Sequence, residues 1–173
     1  VPHASFSEAA KDAMRGKTKE YATFNIATVD GKTRFMVEGK PEDSPTPEMK
    51  YVYDPHRVDH TLVLGTEQIW ELASKNGNHP FHIHVNPFQI IGITRTDGGT
   101  VDAQYKDLIG TWKDTLLVMK GHKIEIATRY QRYIGEYVLH CHILEHEDQG
   151  MMQNVKVVLP DGKGGGDLGG HGH

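Results

Sequence analysis

The sequence holds a single cysteine, Cys141. One thiol excludes an internal disulfide, so cysteine usage says nothing about the redox compartment, and the thiol itself needs an explanation. No stretch approaches the roughly 18 apolar residues that a membrane-spanning helix requires, so no membrane span is expected. Basic excess is missing too: 19 Lys and Arg stand against 23 Asp and Glu, for a net charge of -4. That balance does not suit a phosphate backbone, and nucleic acid is not an expected partner. The opening Val1-Pro2-His3 carries neither an initiator Met nor a signal-peptide pattern, which predicts a terminus set by cleavage or by how the chain was produced. With 173 residues and 37% hydrophobic content, the chain can bury one sizeable core but not two.

Helical periodicity is also scarce. Ala9, Ala10, Ala13 and Met14 fit one short helix between Ser7 and Lys19, ended by Gly16. Beyond it the pattern is β. Tyr21–Thr28 and Arg34–Glu38 flank Asp30-Gly31, a dipeptide favouring primed hairpin turns. The proline-rich stretch Gly39–Pro55 reads as a surface loop. Further strands are expected at Thr61–Leu72, Pro80–Val85, Phe88–Thr94, Asp114–Met119, Lys123–Arg129, Tyr137–Ile143 and Met152–Leu159. Short strands punctuated by turns predict an all-β antiparallel Greek-key sandwich. Residues 1–20 read as an N-terminal extension, 21–160 as the β domain, and 161–173 as a flexible Gly/His tail in which His171 and His173 have no role.

What the chain does have is histidine: 12 in all, six of them in two short clusters. The first reads His79-Pro80-Phe81-His82-Ile83-His84. On a strand, His82 and His84 point to one face and can share a metal, whereas His79 has the opposite parity and is free to serve another site. Alone, this pattern also suits cupins, zinc enzymes or a plain surface strand. The second cluster runs from His140-Cys141-His142 through His146 and Glu147 to Met151 and is more specific. His140 and His142 face one side and Cys141 the other, so one strand end addresses two sites. Cys141, His146 and Met151 are evenly spaced, allowing thiolate, imidazole and thioether to fold back onto one ion. Two imidazoles, a thiolate and a thioether suit copper cycling between two oxidation states, while zinc would have little use for the Met. His3, His56, His60 and His122 read as solvated surface histidines.

These residues resemble the multicopper oxidases, the family of laccases and bacterial cuprous oxidases. The family's H-P-x-H-x-H and H-C-H-x-x-x-H-x-x-x-x-M motifs match His79 to His84 and His140 to Met151. The resemblance implies a cupredoxin-like fold, the C-terminal domain of the enzyme, and copper as cofactor. It further implies His79, Cys141, His146 and axial Met151, with Met152 as rival, as ligands of a type 1 blue copper. His82 would serve type 2 copper, and His84, His140 and His142 the type 3 pair. Cys141 would link the two centres and Glu147 would relay protons as a catalytic acid. A periplasmic or secreted location belongs to the same resemblance.

The family's complete oxygen-reducing cluster takes eight histidines, and the motifs here supply four. The expected partner is therefore an N-terminal cupredoxin domain of the same enzyme or another copy of the chain. A small-molecule reductant or Cu(I) would be the electron donor and dioxygen the acceptor in the complete enzyme. The isolated chain is expected to hold type 1 copper but to lack oxidase turnover, and a stand-alone electron-transfer protein is the alternative. A cupin is disfavoured because no Glu follows the H-x-H at the needed interval, and a copper nitrite reductase because it lacks the second His of His-Cys-His.

Overall fold

A computed structural model of the chain describes residues 3–160; Val1, Pro2 and 161–173, with the expected tail and its His171 and His173, lie outside the described residues. Among the described residues, eleven strands form two sheets. The first comprises β1 (Glu20–Val29), β2 (Lys32–Glu38), β4 (Glu67–Ser74), β6 (Phe88–Arg95), β7 (Trp112–Lys113) and β9 (His122–Arg129), ordered β2-β1-β4-β9-β6-β7. The second comprises β3 (His60–Val63), β5 (Asn78–Ile83), β8 (Thr115–Met119), β10 (Gly135–Cys141) and β11 (Met152–Val158), ordered β3-β11-β10-β5-β8. Trp70, Leu72, Phe81, Ile126, Leu139 and Val155 fill the space between them, fully buried, and Cys141 and Met151 belong to the same apolar cluster. The site therefore grows out of the core at one end of the second sheet.

Turn chemistry explains much of the path. Asp30 and Gly31 both have positive φ, 52° and 73°, as a type I′ turn requires. The expected single strand Thr61–Leu72 is instead two, β3 and β4, in different sheets. The apolar residues Leu62-Val63-Leu64 and Ile69-Trp70 are separated by Gly65-Thr66-Glu67-Gln68, and Gly65 at φ 85° turns the chain between the two strands, a conformation glycine adopts at little steric cost. The antiparallel expectation also needs correcting at two places, because β1 pairs with β4 and β3 with β11 in parallel.

Ahead of the sandwich, α1 (Glu8–Arg15) is capped by Ser7, whose hydroxyl accepts the Ala10 N–H. Its Met14, together with Phe6, packs on Ile69, Ile91 and Ala127 on the outer side of the first sheet. Since Ile126 is fully buried between the sheets, Ile126→Ala is expected to cost about 2–5 kcal/mol of unfolding free energy. Chemical denaturation measures this, and a loss below about 1 kcal/mol would contradict the packing described here.

Candidate metal centre

The strand β10 carries Leu139, His140 and Cys141 directly opposite Ile83, His82 and Phe81 of β5. Strand alternation sends Cys141 into the core, completely buried, and His140 to the other face beside His82, with ring centroids 5.3 Å apart. The two faces carry two separate clusters of potential ligands.

On the core side, Cys141 Sγ lies 3.6 Å from His79 Nδ1 and 3.7 Å from His146 Nδ1. Two ligands bound to one ion at about 2.3 Å (sulfur) and 2.0 Å (nitrogen), at tetrahedral to trigonal angles, stand roughly 3.5–3.7 Å apart. The spacing thus fits a shared ion. Local structure prepares each donor. His79 Nε2–H donates to the Asn76 carbonyl at 2.8 Å, which leaves the Nδ1 lone pair facing the sulfur. His146 sits on the single-turn helix α2 (Leu144–Asp148), its ring against Phe35 and His79.

The return of the chain from α2 is stitched to Cys141, whose N–H donates to Met151 C=O (3.0 Å), while Met151 N–H donates to His146 C=O (2.9 Å). Gly150 makes that return possible at φ 101°, and a Cβ there would meet Val52 and Tyr53 at 3.5 Å. Met151 is fully buried in the cluster that contains Cys141, whereas Met152 is only half-buried and stands across from His140 in the ladder. Without a metal, burial pushes the Cys141 thiol up to about 11. Burial also holds His79 below its ordinary range, with nearby His146 adding to the effect.

On the opposite face, His84 Nε2 and His140 Nε2 approach to 3.1 Å, and His82 completes a second group of three. His82 Nδ1 is tied to the Asp114 carbonyl and Thr115 Oγ1 at 2.9 and 3.0 Å. His140 Nδ1 faces the Cys141 carbonyl at 3.0 Å and Glu147 at 3.3 Å. Both rings therefore offer Nε2. His142 lies alongside, its ring 5.5 Å from that of His82, but it is exposed and its nitrogens fall outside the group of three. The strand ends abruptly after His84. Val85 has φ 75° and Asn86 N–H donates back to His84 C=O at 2.9 Å, a γ-turn that is strained for a β-branched residue. This group opens onto a hollow of about 490 Å³ lined by His82, His84, Val85 and Asp114. Desolvation and the neighbouring His140 hold His84 below its ordinary range.

Two other histidines differ from expectation. His60 is not a surface group: its ring nitrogens face Glu20 Oε2 (2.7 Å) and Gln153 Oε1 (2.8 Å), and it packs on Trp70. His122 is buried and accepts the Asp102 N–H at 3.1 Å. Both gain partners remote in sequence that no local pattern announces. His56 is exposed as expected, and His3 is exposed with its ring stacked on Trp112.

A cupredoxin-like sandwich with a buried Cys-His-His cluster and a second histidine cluster one residue away along the strand defines a copper-protein domain. The chain belongs to the multicopper oxidase family, whose family model matches residues 23–161. It is 39% identical over 111 residues to the multicopper oxidase mco of Staphylococcus haemolyticus, covering 61% of this chain and 23% of that protein. It is 34% identical over 124 residues to a laccase of Bacillus subtilis, covering 62% of this chain and again 23% of the relative. A multi-copper oxidase structure from Pediococcus acidilactici superposes with a TM-score of 0.62 at 28% identity, covering 99% of this chain and 30% of that one. The chain thus spans about a quarter of the length of the curated relatives it matches. Copper-dependent oxidoreductase chemistry is the family's, and among the described residues no helix is long and apolar enough to cross a membrane.

The depressed His79 and His84 make the metal-free fold pH-sensitive. Their folded-state values lie below the ordinary 6.5, so the unfolded chain takes up protons first as pH falls. Stability contributed above about pH 6.5 is lost as pH drops from there toward the lowered folded values. Denaturation midpoints of metal-free protein are expected to decline between pH 7 and pH 5, less steeply in His79→Gln. A flat profile for the unsubstituted protein would contradict the assignment.

Proposed function

We propose that the chain is the type 1 copper domain of a laccase-like multicopper oxidase and contributes half of the histidines of the oxygen-reducing cluster. The observation that carries this reading is the single residue step from the Cys141 cluster to the His140 cluster, two donor sets on opposite faces of one strand. The donor chemistry fits copper: a thiolate and two imidazoles whose Nδ1 atoms converge, with the soft thioether of Met151 buried in the same core. When bound, copper supplies one-electron oxidation of a small-molecule reductant or Cu(I) and, in the complete enzyme, four-electron reduction of dioxygen to water.

In this reading His79, Cys141, His146 and Met151 hold the type 1 ion, His82 the type 2 ion, and His84, His140 and His142 the type 3 pair. Cys141, bonded along the backbone to His140 and His142, is the covalent connection between the centres. Glu147, 3.3 Å from His140 Nδ1, holds a carboxylate where a proton can be carried toward the second cluster. His84, exposed at the edge of the hollow, and the exposed His142 support a facing domain that contributes the remaining ligands. That facing domain is the N-terminal cupredoxin domain of the same enzyme or a second copy of the chain. A periplasmic or secreted location belongs to the same reading.

Copper-loaded protein is expected to bind one copper tightly at Cys141, and Cys141→Ser to lose it together with the intense visible band; a colourless wild type would contradict the reading. Joined to its facing domain, the chain is expected to consume oxygen while oxidising a phenolic dye or Cu(I). A blue protein without oxygen consumption in that complete form would identify an electron-transfer module instead. Glu147→Gln is expected to lower the oxygen consumption of the complete enzyme about 10²-fold or more while leaving the visible band in place. An unchanged rate would remove Glu147 from proton delivery.

A further inference from the structure

The distal nitrogen of His79 ends a chain of hydrogen bonds that starts in a half-buried ion pair on the far side of β1. Lys75 pairs with Glu38, a carboxylate with no solvent exposure. The Glu38 Oε1 accepts from Asn25 Nδ2 at 2.8 Å, and Asn25 Oδ1 accepts from Asn76 Nδ2 at 3.0 Å. Asn76 acts as a surrogate strand. Parallel pairing of β1 with β4 stops at Phe24 and Ser74. Beyond that point the Asn76 side chain continues it, accepting Ile26 N–H at 2.9 Å and donating to Ile26 C=O at 2.6 Å. With its side chain clamped in this way, the Asn76 carbonyl is held in place. It accepts the Ser74 hydroxyl and the His79 Nε2–H, both at 2.8 Å.

No other polar group is bonded to the His79 Nε2–H, and Phe24 packs against the ring, centroids 5.2 Å apart. The direction of Nδ1 toward Cys141 therefore follows from where Asn76 C=O stands, and that follows from Asn25 and Glu38. Gly77 closes the arrangement: it has φ 66°, and a Cβ there would stand 3.4 Å from His79 Nε2. Loop backbone alone is a soft support for a ligand. Side-chain amides bonded to two strands and seated on the buried Glu38 carboxylate are a stiff one.

We propose that Asn25, Glu38 and Asn76 are positioning residues that set the tautomer and aim of His79 and thereby the tightness of copper binding at the Cys141 cluster. This rests on the copper-binding reading above. The sandwich itself does not need the connection, because β1 pairs with β2 from Thr23 to Val29 and with β4 from Glu20 to Phe24 through backbone bonds alone.

The test uses the full chain with Asn25→Ala and Asn76→Asp, the latter keeping the acceptor for Ile26 N–H but losing both donors. Ile126→Ala serves as a control that loses stability without touching the chain of bonds. Nitrogen-15 NMR of metal-free protein reads the His79 tautomer, and transfer of copper to a chelator reads ligand positioning. Unsubstituted protein and control are expected to show one tautomer with the proton on Nε2. The two asparagine variants are expected to show a mixture, copper release faster by about tenfold or more and a displaced visible band. Retention of the single tautomer, or release no faster than in Ile126→Ala, overturns the positioning role. A wild type with the single tautomer that takes up no copper overturns the proposed function instead.

Discussion

The structure depends on one constraint, the two-residue alternation of a β-strand at its last turn of pleat. His140 and Cys141 are adjacent in the chain, yet one stands among imidazoles facing a hollow and the other is sealed between two sheets. No hinge or domain boundary separates the two environments. The distance between the clusters is fixed by covalent geometry and by the ladder that sets His140 against His82 and Cys141 against Phe81. Shifting that register by one residue would put the thiol among the histidines and His140 into the apolar core. Burial of Phe81, Leu139 and Cys141 in one core opposes such a slip, so packing energy maintains the partition of ligands.

A second regularity is the choice of ring nitrogen. In the buried cluster the converging atoms are Nδ1, and in the open cluster the close pair is Nε2 on Nε2. For His79, His82 and His140 the selection is made by carbonyls. Asn76 C=O takes the Nε2–H of His79, whereas Asp114 and Cys141 carbonyls take the Nδ1–H of His82 and His140. Backbone acceptors cannot titrate, so they set the tautomer at every pH where the imidazole is neutral. The Cys141 peptide thereby serves both clusters, its sulfur on one side and its carbonyl on the other.

The two clusters were legible in the sequence because their information is local. Spacings of one, two and five residues on a strand or a tight loop leave little freedom in where the side chains go, and the expected parity of His79, His82, His140 and Cys141 is the parity observed. The fold class was legible for a similar reason, from short apolar alternations and turn residues such as Asp30-Gly31. Features with distant partners were not. His60 looked like a loop residue after Pro55, and its burial depends on Glu20 and Gln153, 40 and 93 positions away. The break at Gly65 was hidden because Leu62-Val63-Leu64 and Ile69-Trp70 lie close enough in sequence to read as one strand across Gly65-Thr66-Glu67-Gln68. The parallel pairings require knowing which strands cross between sheets. Asn25 and Asn76 carry no spacing signal at all, being 51 residues apart.

A metal bound to the lone thiol in the company of His79 and His146 underlies both the proposed function and the positioning of His79. A crystal structure of the copper-loaded chain, with anomalous scattering collected at the copper edge, tests this most directly. The expected result is an anomalous peak within bonding distance of Cys141 Sγ, His79 Nδ1 and His146 Nδ1 together. Copper found only at surface histidines, with the Cys141 sulfur unligated, would contradict it.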